Sequence, residues 1–308
     1  MGRRMQQYRT DLAIECREIL DEQEQRQHTG RSRRRGEPDG IQMEKIEYDG
    51  GIHVTRIKIA TQEAAEKMGK PIGNYITLEA DGVLEEEDGI QEKAAKAVAG
   101  ELGQLLHVDY SLKVLVAGLG NSLVTPDRLG PETAAKVRVT RHLFLIFDAD
   151  GDEEMSNVSC IIPGVTGSTG METAEVIKKA AEIVQPDVVI VIDSLAARDI
   201  ERVSTTIQLT DTGIQPGSGM GNHRNGINEE TIGAPVLAIG VPTVIDIKTI
   251  LREALEENLD SAEAVETYLR DYDRQMIVTS TDIDLLVKDF SDIIAGGINK
   301  VLHPGIYS

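Results

Sequence analysis

Short hydrophobic runs are the most regular feature of the chain, and they are of two kinds. Two segments alternate apolar with polar residues, as half-buried strands do: 52–59 and 75–79. Four others are apolar almost throughout, which is typical of strands covered on both faces of a sheet: 113–118, 158–165, 188–193 and 236–242. The pattern predicts a sheet whose central strands are buried and largely parallel.

Amphipathic segments fill the intervals between these runs. Apolar residues at helical spacing predict helices over 12–27, 91–107, 172–184 and the first part of 281–308. Asp11 is the predicted N-cap of the first helix, and Pro131 marks the start of a further one because proline suits the first helical turn. Strands that alternate with helices are typical of α/β proteins. We therefore predict an α/β fold with a mostly parallel sheet flanked by helices.

The amino-acid composition and net charge exclude several classes of protein. Of the 308 residues, 40% are hydrophobic but only 3% are aromatic, so the predicted core is mainly aliphatic. A formal net charge of −20 argues against a general nucleic-acid binder and against a protein that binds anionic membranes. Two cysteines, Cys16 and Cys160, cannot build a disulfide framework. With no bilayer-length apolar run and no signal-like segment, these features predict a soluble intracellular protein.

The first 36 residues differ from the rest in charge. They contain nine arginines against six acidic residues and end in the Arg-rich segment 31–36. Such a polar, glycine-flanked run is typical of a mobile linker. Two interpretations of this basic arm stay open: it contacts the acidic body of the protein, or it is a solvated tail.

Two aspartates have catalytic potential because of where they stand. Ligands in open α/β sheets bind at the carboxyl ends of the strands, where Asp193 closes the run 188–193 and Asp127 follows the run 113–118. Two carboxyl groups in one site titrate as a coupled pair, in which one keeps a proton while the other acts as base toward water. The alternatives are a helix N-cap for Asp193 and a turn residue for Asp127.

Other chemistries find little support in the sequence. Gly118 and Gly120 begin a dinucleotide-type loop, but Leu123 stands where its third glycine belongs. The histidines show no spacing of metal ligands, and no Gly-x-Ser-x-Gly motif of a serine hydrolase occurs. We expect no metal and no cofactor. The residues alone predict an α/β enzyme with a carboxylate-bearing cleft.

Ordered motifs surround the two aspartates. They are Gly-Leu-Gly-Asn at 118–121, Val-Thr-Pro-Asp-Arg-Leu-Gly-Pro at 124–131, Pro-Gly-Val-Thr-Gly at 163–167, Ile-Asp-Ser-Leu-Ala-Ala-Arg at 192–198 and Ile-Gly-Val-Pro-Thr-Val at 239–244. Together they resemble the germination proteases of spore-forming Firmicutes, which degrade small acid-soluble spore proteins. The resemblance runs from residues 9–13 to residues 295–299, almost the whole chain.

This resemblance implies a specific enzyme. It implies a homotetrameric endopeptidase of the forespore and spore core, hence cytoplasmic, made as a zymogen and activated by loss of an N-terminal propeptide. The implied fold is similar to that of the hydrogenase-maturation endopeptidases, and the implied catalytic carboxylates are Asp127 and Asp193. Two departures stand out: the region 259–274 is shorter than the usual insertion of the family, and Ser194 replaces an expected alanine.

The chain carries its own copy of the implied cleavage site. Germination proteases cut after an acidic residue and before a hydrophobic residue followed by alanine, and Asp11, Leu12 and Ala13 fit that pattern. We predict self-cleavage between Asp11 and Leu12. The predicted division is a propeptide at 1–11, a basic arm and linker at 12–42, and a single α/β catalytic domain at 43–308.

Glycine-rich loops complete the predicted site. Five residues are candidates to line the cleft, with backbone N–H groups that stabilise an oxyanion: Gly118, Gly120, Asn121, Gly164 and Gly167. The expected partners are small acid-soluble spore proteins as substrates and further copies of the chain, with no membrane and no direct nucleic-acid contact. Two rival functions stay open. They are a metal-dependent enzyme in which Asp127 and Asp193 are ligands, and a non-catalytic protein whose basic arm binds DNA or acidic partners.

Overall fold

We describe the fold from a computed structural model of the chain. The structure describes residues 10–27, 40–85, 87–106, 108, 112–147, 154–220, 224–256, 269 and 276–307. Residues 1–9 of the predicted propeptide, the Arg-rich segment 31–36 and most of the region 259–274 lie outside this part.

Within the described residues, nine strands form one mixed sheet. They are β1 (Ile41–Tyr48), β2 (Ile52–Ile59), β3 (Gly73–Glu79), β4 (Lys113–Gly118), β5 (Asn157–Ile161), β6 (Val188–Ala197), β7 (Thr206–Thr210), β8 (Val236–Asp246) and β9 (Ile277–Val278). The spatial order is β1-β2-β3-β7-β8-β6-β4-β5, and β9 pairs with β8. Pairing is parallel from β5 through β4 and β6 to β8, and antiparallel elsewhere.

Helices of the described residues cover both faces of the sheet. They are α1 (Ala13–Gln27), α2 (Gln62–Met68), α3 (Ile90–Leu105), α4 (Leu129–Lys136), α5 (Arg141–Phe147), α6 (Thr166–Thr169), α7 (Thr173–Val184), α8 (Glu229–Ile232), α9 (Ile247–Glu256) and α10 (Ile283–Leu302). None of these described helices combines the length with the apolar composition that a bilayer crossing requires. The predicted α/β class is confirmed, with parallel pairing at the centre of a mixed sheet.

Alternation along the central strands builds three clusters of buried side chains. On one face, Val114 and Val116 of β4 join side chains from α3, α4 and α10. On the other face, Leu115 and Ala117 pack with α7 and α8. A third cluster, on the same face as α7 and α8, joins α1 and α2 to β1, β2, β3 and the end of β6. The side chains of β4 are buried on both faces of the sheet, which explains why this segment is apolar almost throughout.

Several element boundaries differ from those predicted. The strand predicted to end at Asp193 continues to Ala197, and the strand predicted to end at Pro242 continues to Asp246. The strand predicted over 158–165 already ends at Ile161. Sequence patterning ends a strand at its first polar residue, but a polar side chain is accommodated inside a strand when it faces a cavity. The prediction that Asp193 closes its strand, and with it the N-cap alternative, was wrong.

The N-terminal helix also begins differently. It starts at Ala13, and the side chain of Asp11 bonds to β6 and to the turn at Ser218 rather than capping the helix. Leu12 and Ala13 are fully buried in the third cluster. The segment that follows the predicted cleavage point therefore packs in the body of the protein.

Candidate active site

Asp193 faces a gap between two groups of helices. Along β6, the side chains of Val189 and Val191 belong to the cluster under α7 and α8, whereas those of Leu195 and Ala197 belong to the cluster under α1 and α2. Side chains two residues apart lie on the same face of a strand. Asp193 therefore points to that face at the place where one cluster ends and the next begins.

The Asp193 carboxyl is almost completely withdrawn from solvent. The residue is only 6% exposed, and its Oδ1 accepts a hydrogen bond from the backbone N–H of Ser194 at 2.9 Å. Burial raises the pKa of this carboxyl well above its ordinary value, and the nearby charges of Asp127 and Asp11 raise it further. The surroundings of Asp193 thus favour the protonated form of its carboxyl.

Asp127 is held in a tight turn after β4. It ends the 3₁₀ turn Thr125–Asp127. The backbone N–H of Asn121 donates to the Oδ2 of Asp127 at 2.9 Å and to the backbone carbonyl oxygen of Asp127 at 3.0 Å. Gly120 permits this approach: its φ is +111°, and a side chain there would collide with the Asp127 carbonyl oxygen. The buried Thr243 hydroxyl of β8 donates to the carbonyl oxygen of Pro126 at 2.6 Å. The turn is therefore fixed from both sides.

The environment of Asp127 differs from that of Asp193. Burial again raises the pKa of its carboxyl above the ordinary value. The N–H of Asn121 and the positive charge of Arg224 act in the opposite direction and reduce this rise. Arg224 is itself positioned by a 2.6 Å hydrogen bond from its Nη1 to the Thr166 hydroxyl of α6. Two carboxyl groups in such different surroundings are typical of an acid and base that share one site.

One cavity of about 250 Å³ contains both carboxyl groups. Asp11, Asp127, Asp193 and Arg224 line it together with residues of the loop 214–217. Of the predicted cleft-lining residues, Gly120 lines this cavity. The other four are not among the described residues that line it: Gly118, Asn121, Gly164 and Gly167.

The predicted cleavage site lies in the same cavity. The backbone N–H of Asp11 donates to the carbonyl oxygen of Ala196 at 2.9 Å, and its Oδ2 accepts from the N–H of Ala196 at 2.9 Å. Its Oδ1 accepts from the Ser218 hydroxyl at 2.7 Å. The acidic side chain before the predicted scissile bond is thus bound by two neutral donors at the end of β6.

A buried carboxyl anchors the helix that follows. Glu15 is fully buried, and its two oxygens accept from the backbone N–H groups of Arg198 at 2.8 Å and Asp199 at 2.9 Å. Arg202 lies 3.7 Å from the Glu15 carboxylate and forms a second, closer pair with Glu18 at 2.6 Å. These contacts hold α1 against the chain just beyond β6, next to Asp11, which lines the cavity.

Sequence reasoning missed three contributors to this site. Arg224 follows the glycine-rich stretch 211–222, Ser218 lies inside it, and Thr243 belongs to the motif at 239–244. Thr243 stands in a motif identified from the sequence with no role predicted for it, and the glycine-rich stretch carries no prediction. No group of three His, Cys, Asp or Glu side chains with the arrangement of metal ligands occurs in the part of the chain that the structure describes.

Comparison with known proteins gives consistent matches. A family model described as germination protease matches residues 13–262. A germination protease of Caldanaerobacter subterraneus subsp. tengcongensis is 41% identical over 97% of this chain and 95% of its own length. Germination proteases of Clostridium perfringens strain ATCC 13124 and of Geobacillus sp. strain WCH70 are 39% and 36% identical, and each match covers 98% of this chain and at least 95% of the relative.

Proposed function

The chain belongs to the germination protease family, and from that premise we propose that Asp127 and Asp193 are the acid–base pair of a spore endopeptidase. The observation that carries the proposal is the shared cavity. Asp127 and Asp193, whose carboxyl groups have different surroundings, line it together with Asp11, the residue before the predicted scissile bond.

The pair divides the chemistry of peptide hydrolysis. The ionised carboxylate of Asp127 takes one proton from a water molecule as the water oxygen bonds to the scissile carbonyl carbon. The electron pair of the carbonyl double bond moves to its oxygen. When the tetrahedral intermediate collapses, the carbon–nitrogen bond breaks and the leaving nitrogen takes the proton of Asp193. The products are a new carboxyl group and a new amino terminus.

The intact chain is inactive, on this proposal, because its own residues occupy the cleft. Asp11 fills the place of the acidic substrate residue, and the fully buried Leu12 and Ala13 fill the places of the two residues that follow. Cleavage between Asp11 and Leu12 separates the propeptide 1–11 from the arm 12–42 and the catalytic domain 43–308. The released segment carries Arg3, Arg4 and Arg9 against Asp11, so its attraction to an acidic body weakens with salt.

Substrates and assembly follow from the family. We infer that the substrates are small acid-soluble spore proteins, cut after an acidic residue and before a hydrophobic residue and alanine. The site at Ala196 and Ser218 supports a preference for an acidic residue, since it already binds one. The homotetramer and the location in the forespore and spore core belong to the same proposal. A net charge of −20 supports the expectation that nucleic acid is not bound directly.

Asparagine substitutions test the pair. Asp127→Asn and Asp193→Asn should each abolish nearly all self-cleavage and peptide hydrolysis, and the double variant should be no worse, because half a pair is as inert as none. Turnover is measured by mass spectrometry and with a peptide of residues 8–16. A single variant that kept more than about a tenth of the rate, equivalent to roughly 1.4 kcal/mol of barrier, would remove its residue from the mechanism.

The same assay separates the rival functions. Activity that disappears with a chelator and returns with a divalent metal would replace the acid–base pair by two metal ligands. Salt-sensitive DNA binding that needs residues 1–36, with no peptidase activity, would replace the enzyme by a binding protein. Cleavage beyond Gly36 rather than at Asp11 would assign processing to another protease.

A further inference from the structure

The carbonyl oxygen of Asp11, at the predicted scissile bond, is held by two side-chain donors. Lys70 Nζ donates to it at 2.8 Å, and Gln208 Nε2 donates to it at 3.0 Å. Lys70 follows directly after Gly69, which ends α2 in the left-handed conformation, so the close of that helix delivers the ammonium group. Gln208 is a buried residue of β7. Two elements far apart in sequence thus converge on one backbone oxygen.

Gln208 also contacts the chain on the other side of the bond. Its Oε1 accepts from the backbone N–H of Ala13 at 2.6 Å. The amide side chain of Gln208 therefore forms hydrogen bonds with the peptide backbone on both sides of Leu12. Gln208 contacts only backbone atoms of the bound segment, so any peptide bound in the same conformation can make these contacts.

Sheet register puts Gln208 in line with Asp193. Gln208 pairs with Gly240 of β8, and Gly240 pairs with Asp193 of β6. Paired residues of adjacent strands share a face, so the two side chains point to the same side, about 10 Å apart along the sheet at the usual strand spacing. The residue between them has no side chain. The bond held by Gln208 therefore lies on the face of the sheet that bears the buried carboxyl.

We propose that Lys70 and Gln208 are the oxyanion-binding residues of this protease. The inference rests on the proposed function, in which the Asp11–Leu12 bond is cleaved by Asp127 and Asp193. When water bonds to the carbonyl carbon, the electron pair of the double bond moves to the oxygen that these two donors already contact. The sequence predicts backbone N–H groups of glycine-rich loops for this role, whereas here the donors are side chains.

The ammonium group makes this arrangement more than a structural hydrogen bond. A neutral carbonyl attracts Lys70 as a dipole attracts a charge, but an oxyanion attracts it as one ion attracts another. The interaction therefore strengthens as the transition state forms, which is what accelerates a reaction. Gln208 adds a second donor and fixes the direction of the peptide, so that the carbonyl oxygen cannot rotate away from Lys70.

Substitution of Lys70 tests the inference in the full-length chain. Lys70→Met keeps the aliphatic stem and removes the charge, and it should slow self-cleavage between Asp11 and Leu12 about 100-fold or more, as the loss of an oxyanion donor does. Lys70→Arg keeps a cationic donor and should recover part of the rate. Lys67→Met, which removes the same charge from an exposed pair with Glu63 on α2, should cleave at the wild-type rate.

Gln208→Met removes the second donor from the same oxygen and should slow the same cleavage. With the peptide of residues 8–16 supplied to processed enzyme, both variants should lower kcat more than they raise KM, because the interaction strengthens in the transition state. Melting temperatures show that each variant is folded.

The outcomes separate this inference from the proposal beneath it. If Asp193→Asn is inert but Lys70→Met and Gln208→Met both cleave at the wild-type rate, the oxyanion assignment is wrong and the acid–base pair stands. If the wild-type chain is cleaved at another bond, the contacted carbonyl is not the scissile one and the oxyanion assignment fails, whereas the acid–base pair is judged by the asparagine variants with the peptide. A slow Lys70→Met that Lys70→Arg partly restores, with Lys67→Met unaffected, supports the assignment.

Discussion

At the scale of single residues, the site depends on the difference between two carboxyl groups. Asp193 accepts a hydrogen bond from the N–H of Ser194, and the nearby negative charges of Asp127 and Asp11 raise its pKa further. Asp127 has the N–H of Asn121 and the charge of Arg224 to stabilise its ionised form. These surroundings support the two roles that we propose, a proton donor at Asp193 and a base at Asp127.

Arg224 provides the sharpest test of that division. Its charge lowers the pKa of Asp127, so Arg224→Met should raise that pKa. Because the base must be ionised, activity is lost as the pH falls through this pKa, and the acidic limb of the pH–rate profile should move to higher pH. Arg224→Lys keeps the charge and should leave the limb closer to its original position. An unmoved limb in Arg224→Met would mean that Asp127 is not the base. The profile is measured as the self-cleavage rate at a series of pH values.

At the scale of elements, β6 does more than carry Asp193. Its continuation to Ala197 supplies the backbone N–H and carbonyl of Ala196 that bind Asp11. β8 runs alongside to Asp246 and supplies Thr243, which ties down the turn of Asp127. Both extensions lie beyond the residues at which the apolar pattern of the sequence stops. The pattern therefore does not predict the parts of β6 and β8 that contact Asp11 and the turn of Asp127.

Loss of the tie from β8 should loosen the turn of Asp127. Thr243→Val keeps the shape but removes the hydroxyl that donates to Pro126, so self-cleavage should slow about tenfold and the free energy of unfolding should fall by about 1 kcal/mol. Thr77→Val on β3 is the matched control: Thr77 is also buried, but its hydroxyl has no hydrogen-bond partner among the described residues. That control should keep both its rate and its stability. Equal effects of the two substitutions would contradict a specific role for Thr243.

At the scale of the whole molecule, the sequence predicts the layers better than the site. Apolar runs and helical spacing identify the central strands and α3, α7 and α10, because burial on one or two faces leaves a period in the sequence. The family motifs predict Asp127 and Asp193 as catalytic residues and the Asp11–Leu12 bond as the cleavage point. The sequence pattern does not identify Lys70 and Gln208. Their proposed role depends on strand register and on where distant segments of the chain meet, and neither produces a periodic pattern in the sequence. The same reason applies to Arg224.

The buried carboxyl also has a consequence for global stability. The folded state raises the pKa of Asp193, so the unfolded chain releases this proton at a lower pH than the folded chain does. The contribution of Asp193 to stability is therefore fully present below the ordinary aspartate pKa of about 3.9 and is lost as the pH rises toward the folded pKa. Burial of this carboxyl near other negative charges thus opposes folding as the pH rises.

Asp193→Asn should accordingly stabilise the protein while it abolishes cleavage. Asparagine keeps the volume, its side-chain oxygen can accept from the N–H of Ser194, and it has no proton to lose. The melting temperature of Asp193→Asn at pH 7 should exceed that of wild type, and the difference should shrink as the pH approaches 4. Asp88→Asn, at an exposed turn before α3, is the matched substitution at an exposed aspartate. A destabilised Asp193→Asn at pH 7, or a gain that persists unchanged at pH 4, would mean that the folded state does not hold Asp193 in its neutral form.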